Sequence, residues 1–284
     1  MNMKRFWTLT LLIAMASTLP AAKIELSRQQ KRTCKKVLMD GLRSGEFWPS
    51  MHAAEGLTLG GFGDAVRKHC APKLPKEKNH QHRCGLAREL VRAGDKQKSQ
   101  VMLEILKDLN STGRVHAAES LYKVGWTGSS KPLEDAFADT DDLRLKYMAA
   151  AALGKKGNPQ AMKFLREEMR TQKDAKLLYI PAWILGRLGG KSDIALLRRR
   201  LPDAPDAWTK CFLEHAMAGL GDKKGQDALR RNLKSEDARL RTYAATWAGD
   251  AGMTDVKGQL LKQLKDENLD ARVRAAQTLL FLSR

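Results

Sequence analysis

Residues Asp142–Gly157 read DLRLKYMAAAALGKKG. An aspartate opens the stretch, and its side-chain oxygen is suited to accept hydrogen bonds from the unpaired amides of a first helical turn. A glycine closes it, suited to the left-handed backbone that ends a helix. Between them lie a helix of three to four turns and the run Ala149–Ala152, whose small side chains let a neighbouring helix approach closely. The same frame recurs along the chain. Asn110, Asp142, Asp174, Asp206, Asp237 and Asp270 form one column, at intervals of 32, 32, 32, 31 and 33 residues. Gly61, Gly94, Gly125, Gly157, Gly189, Gly221 and Gly252 form the other, at intervals of 33, 31, 32, 32, 32 and 31. A period of this length marks a stack of helix pairs.

Each column glycine is followed by a short turn and a second amphipathic segment. Pro159–Met169, Ser192–Leu201, Gln226–Leu233 and Val256–Leu264 carry apolar residues at three- and four-residue steps, as in Ile194, Leu197 and Leu201. No stretch alternates with period two, so no β-sheet is expected. Pro181, seven residues after Asp174, is expected to kink its helix.

The sequence Asp-Ala-Arg-Leu-Arg at 237–241 and Asp-Ala-Arg-Val-Arg at 270–274, with Ala-Ala and Leu-Gly further along the unit, resembles the HEAT-like repeat of the phycobilin-lyase type. The resemblance spans residues 46–284 and implies an all-α fold, a right-handed α-α superhelix of about seven helix pairs, with residues 23–45 as an N-terminal capping helix. It is specific for fold and nearly silent on function, because such repeats carry many unrelated activities.

Lys4 and Arg5 precede the apolar run Phe6–Ala16, with Ala14-Met15-Ala16 or Ala21-Ala22 as small-residue exits. The run is too short to span about 30 Å of hydrocarbon. Residues 1–22 therefore read as a cleaved signal peptide, and the protein as secreted or periplasmic. The net charge is +19, spread along the chain rather than gathered in a tail. Such an excess favours an acidic partner. Four cysteines in an oxidising compartment invite a disulfide among Cys34, Cys70 and Cys84, with Cys211 as a small core residue.

Candidate sites are few. His52 with Glu55 and His116 with Glu119 have the spacing of three that places both side chains on one helix face. The two pairs are two repeats apart, roughly 20 Å at about 10 Å per stacked repeat, and are not expected to share a metal. His80 and His82 are expected in a solvated turn. The resemblance brings to mind deoxyhypusine hydroxylase, a HEAT-like enzyme whose iron is held by His-Glu dipeptides. Here only the reversed Glu214-His215 occurs. No phosphate loop or catalytic triad spacing is present, so neither catalytic residues, metal nor cofactor are assigned. The remaining candidate is an arginine ladder, Arg166, Arg198, Arg199, Arg230 and Arg231 continued by Lys262, at nine or ten residues after successive column glycines. In HEAT-like solenoids second helices line the concave face, so the ladder is expected there as an anion-binding stripe. The aromatic residues of first helices, among them Tyr147, Tyr179, Trp183, Phe212, Tyr243 and Trp247, are expected to be core. The expected function is a non-catalytic scaffold binding an acidic protein or an anionic polysaccharide. The alternative is a HEAT-like enzyme, a lyase or oxidoreductase, with its site in the groove.

Overall fold

A computed structural model describes residues 23–284. The expected signal peptide, residues 1–22, lies outside them. The described residues form sixteen α-helices and no strand. In chain order they pair as α1 (Arg28–Leu42) with α2 (Phe47–Leu59), α3 (Gly63–Cys70) with α4 (His80–Arg92), α5 (Ser99–Lys107) with α6 (Arg114–Val124), and α7 (Lys131–Ala138) with α8 (Leu143–Lys155). The series continues with α9 (Pro159–Thr171) and α10 (Tyr179–Leu188), α11 (Ile194–Arg200) and α12 (Ala207–Gly219), α13 (Lys223–Asn232) and α14 (Ala238–Asp250), and α15 (Lys257–Gln263) and α16 (Leu269–Leu282). This is the all-α solenoid expected from the repeat, and residues 46–284 hold α2 to α16, about seven pairs with α1 outside them.

The capping chemistry follows the columns with three departures, the first being Gly189, which is extended at φ −77 rather than left-handed. Asn79, Asp142, Asp174, Asp206 and Asp237 each accept backbone N–H bonds from the first turn they precede. Gly157 closes its unit at φ +92, a conformation costly for any residue with a Cβ. Asn110 caps nothing, because α6 starts only at Arg114. At the last unit Asn268 takes over the cap, which leaves the Asp270 carboxylate for another partner. Pro181 does not kink a continuous helix. Ala175–Leu177 form a tight 3-10 turn, and α10 begins at Tyr179, so the proline falls in a first turn where its missing N–H is harmless.

The even-numbered helices pack side by side from α2 to α16, and α16 packs in turn against α2. The solenoid is therefore closed into a ring. Helix α1 is not a cap at one end. It lies against both α2 and α16 and completes the outer layer over the seam. The backbone N–H of Ile24 donates to the carbonyl of Leu282 at 3.0 Å, tying the two ends of the described chain together. One hydrophobic core runs unbroken from Ile24 to Leu282.

The layering inverts the expectation. The even-numbered helices, which are the first helices of the sequence repeat, form the inner wall, and the odd-numbered second helices form the outer one. An inner circle is shorter than an outer one, so its helices must approach more closely, and the alanine-rich helices are the ones that can. Ala149–Ala152 are fully buried, as are Ala244 and Ala245. One such close approach joins α10, α12 and α14. A Cβ on Gly186 would lie 2.6 Å from the Ala216 Cα and from the Trp247 ring, and one on Gly219 would lie 2.9 Å from that ring.

The four cysteines are buried free thiols on α1, α3, α4 and α12. The expected disulfide is absent among them. Burial pushes Cys34 up to about 11 and Cys70 and Cys84 up to about 12, so they behave as small core residues, as expected for Cys211 alone. No helix among the described residues is long and apolar enough to cross a membrane.

Candidate functional site

The ring encloses a cavity of about 730 Å³, and its lining comes from the inner helices. Counting back from each column glycine, the lining positions are thirteen, nine, six and two residues earlier, steps of four, three and four. That is one stripe along each helix. Two residues before Gly94, Gly125, Gly157 and Gly189 stand Arg92, Lys123, Lys155 and Arg187. Four successive inner helices, α4 to α10, thus bring a cation to the same level of the cavity. The next two units have Gly219 and Asp250 there. Helix α16 keeps the register, with Ser283 in the glycine's place and Arg274, Gln277 and Phe281 facing inward.

Near the start of these helices the lining changes character with direction around the ring. Nine residues before the glycine, α2 and α6 present His52 and His116, whereas α8, α10, α12 and α14 present Met148, Ile180, Phe212 and Tyr243. Tyr179, Trp183 and Trp208 extend this apolar side. Trp208 meets Tyr243 edge-on at 4.9 Å between ring centres, and Phe212 lies 5.6 Å from Tyr179. The cavity therefore has an aromatic wall on α10–α14 and a charged wall on α2–α6. Of the aromatics expected in the core, Tyr147 and Trp247 are fully buried. Phe212 is also buried, with an edge on the cavity, whereas Tyr179, Trp183 and Tyr243 are half-buried and line it.

The charged wall is held by ion pairs between helices. Arg92 on α4 and Arg274 on α16 both bind Glu55 on α2, at 2.8 and 2.9 Å. His52 Nδ1 meets the Asp270 carboxylate at 2.7 Å, the partner that the freed column aspartate finds across the seam. Burial disfavours the charged form of Glu55, but Arg92, Arg274, Lys123 and Arg88 outweigh it and hold the carboxyl well below the usual range. Burial likewise opposes ionisation of Glu119, and Lys123 and Arg88 bring it down to about 2. Burial lowers His52 and His116, so both imidazoles are neutral near pH 7. The two histidine–glutamate pairs do line one cavity, yet each carboxylate is already engaged by cations. No cluster of three or more metal-ligating side chains occurs among the described residues.

The interior is narrow enough for contacts that skip a helix. Trp48 on α2 stacks on His116 of α6 at 5.3 Å, and Tyr122 on α6 meets Trp183 of α10 at 5.2 Å. Arg187 on α10 reaches Asp250 on α14 at 2.5 Å, past an α12 that has only Gly219 at that level. Lys155 has no carboxylate. Its ammonium donates to the carbonyls of Tyr122 and Lys123 at 2.8 and 3.1 Å, at the negative end of α6. Burial lowers its pKa, and the like charges of Arg92 and Lys156 lower it further. Arg144, also on α8, makes no ion pair among the described residues. In total seven Arg or Lys side chains line the cavity against three carboxylates, Glu55, Glu119 and Asp250.

The arginine ladder expected on the concave face lies on the outer helices. Arg166 grips Asp193 with two bonds, at 2.8 and 3.2 Å. Arg198 binds Asp222 at 2.5 Å, and Arg230 binds Asp255 at 2.7 Å. Each aspartate stands at the start of the next outer segment, so three of the six ladder residues are struts from one repeat to the next. Arg231 stands 3.8 Å from Glu214. Arg199 and Lys262 are exposed, and neither joins an ion pair among the described residues. His80 and His82 are not in a turn either. They open α4, where His80 bonds Ser111 at 2.6 Å and His82 stacks on Phe47 at 3.7 Å. The inner ladder was present in the sequence all along, two residues before the column glycine.

No protein-family model matches the chain, and no curated protein matches it. Among solved structures, human deoxyhypusine hydroxylase in complex with glycerol is similar to this chain, with a TM-score of 0.41 and 16% identity over 90% of this chain and 96% of that one. The fold assignment rests on the helices themselves.

Proposed function

We propose that this chain is an exported binding protein that holds an anionic ligand inside its ring. The observation that carries the reading is the inner cation ladder: Arg92, Lys123, Lys155 and Arg187 at one level, with too few carboxylates to neutralise the lining. In a partly desolvated cavity such an imbalance attracts negative charge strongly and disfavours positive charge. Export rests on the Lys4-Arg5 flank and the apolar run that follows. A cavity of about 730 Å³ has the size of a small-molecule site and cannot admit a folded protein. It admits a few sugar rings, which favours an anionic polysaccharide over an acidic protein surface.

The test is an acidic and sulfated glycan array probed with three forms of the mature protein. One is unaltered, one carries Arg144→Ala and Lys155→Ala, and one carries Arg199→Ala and Arg231→Ala on the outer face. Arg144 and Lys155 hold no carboxylate, so their removal should leave the helical spectrum intact. Loss of binding in the inner variant alone supports the proposal. Equal binding by all three, or loss only in the outer variant, rejects it.

A further inference from the structure

The reading of the cavity as an anion site can be taken to a ligand class. We infer that the cavity accommodates an acidic oligosaccharide, a short run of carboxylated sugar rings with their apolar faces on the aromatic wall and their carboxylates toward the inner cation ladder. This rests on the proposed function and adds three observations to it.

The first is the division of the lining. Tyr179, Trp208, Phe212 and Tyr243 form one contiguous aromatic cluster, and Trp208, Tyr179 and Tyr243 are only half-buried. Half-buried rings beside a cavity offer faces for stacking, and the C–H faces of sugar rings are a suitable partner. The second is the mixed character of the opposite wall. A simple anion would need donors only. Here Glu55 and Glu119 are held ionised beside neutral His52 and His116, so the wall presents acceptors and donors together. A hydroxyl both donates and accepts, and a ligand rich in hydroxyls uses such a wall, whereas an aryl acid would leave its acceptors facing a second negative group. The third is the placement of Lys155 and Arg144. They stand on α8, between the charged wall and the aromatic one, without carboxylate partners. A ligand carboxylate there supplies the partner that the chain does not.

The experiment is titration calorimetry on the full mature chain with three probes. These are a galacturonate trimer, the same trimer fully methyl-esterified, and naphthalene-2-sulfonate. The expected result is binding of the charged trimer with quenching of tryptophan fluorescence, and at least tenfold weaker binding of the ester. Trp208→Ala is expected to weaken the charged trimer about tenfold, and Lys155→Ala about tenfold with a shallower dependence on salt. If the sulfonate binds and the trimer does not, the sugar assignment fails while the anion reading stands. If the trimer and its ester bind equally, the carboxylate has no role and the inference is overturned. If neither anion binds, both readings fall. The probe comparison on the unaltered protein decides even where a tryptophan variant does not fold.

Discussion

The molecule carries two basic ladders built on the same repeat, and they do different things. In the outer one, Arg166, Arg198 and Arg230 each point a guanidinium at an aspartate one repeat ahead, Asp193, Asp222 and Asp255. Its charge is spent on holding neighbouring outer helices together. The inner one, from Arg92 to Arg187, faces a cavity in which carboxylates are fewer than cations. Glu55 serves two arginines at once, and Lys155 has only backbone carbonyls. A basic residue at helical spacing therefore says little until its carboxylates are located. Three of the outer cations join one repeat to the next, whereas the inner ones face a shared cavity in which Lys155 and Arg144 have no carboxylate.

The largest expected effect comes from breaking the inner wall at its most shared carboxylate. Glu55→Gln removes the carboxylate that Arg92 and Arg274 share, leaving Arg92 with Glu89 and Arg274 without an ion pair. Removing one partner from a buried ionic network typically costs about 3 kcal/mol or more. We expect a loss of that order in denaturant unfolding, with helicity retained below the transition. The pH dependence gives the sign. The carboxyl of Glu55 is held well below its ordinary value of 4.5 in the folded state. The stability it confers is fully present above pH 4.5 and is lost as pH falls through the depressed folded value. The variant should lack this acid-sensitive component, and a variant as stable as the parent at pH 7 would show that the seam does not depend on this network.

A smaller effect is expected from the outer ladder. The buried Asp193 accepts two bonds from Arg166 and one from the backbone N–H of Gly190. Burial opposes its ionisation, and those bonds overcome it, so its pKa lies below 3.8. Asp193→Asn keeps the shape and removes the charge, at a cost of about 2 kcal/mol for weakened charge-assisted bonds. Binding of any anion in the cavity should not change. Were anion affinity to fall with this variant as steeply as with Lys155→Ala, the separation between a structural outer ladder and a functional inner one would be lost.

How much of this was legible beforehand depends on the range of the contacts. The Asp and Gly columns fixed the helices because capping is local. Pro181 misled only because a 3-10 turn relocates the start of α10. The inner stripe was equally local, Arg92, Lys123, Lys155 and Arg187 in register with the glycines, but it reads as a lining only once the inner helices are known. That depends on the curvature of the stack, the sum of small angles between neighbours that no single repeat encodes. Ring closure was out of reach for the same reason. It is expressed in pairs such as His52 with Asp270 and Glu55 with Arg274, which are 218 and 219 residues apart. The choice of second helices for the concave face failed on packing, since the alanine-rich first helices are the ones that tolerate the shorter inner circle.

The smallest expected effect is also the most discriminating for the outer face. Arg199 and Arg231 are the least engaged arginines of the ladder, one exposed and without an ion pair, the other 3.8 Å from Glu214. Exposed pairs at such distances contribute little, so Arg199→Ala with Arg231→Ala should shift stability by less than about 0.5 kcal/mol. If the outer face has no anion site, affinity for an acidic glycan and its salt dependence should also stay where they were. The measurement is a salt series of glycan binding for this variant beside Arg144→Ala with Lys155→Ala. Two fewer cations far from the ligand leave the slope nearly unchanged, because charges beyond about 10 Å are screened at ordinary ionic strength. Two fewer cations in contact with the ligand flatten it. A flattened slope in the outer variant would place a ligand on the convex surface and return the function to the ladder first read from the sequence.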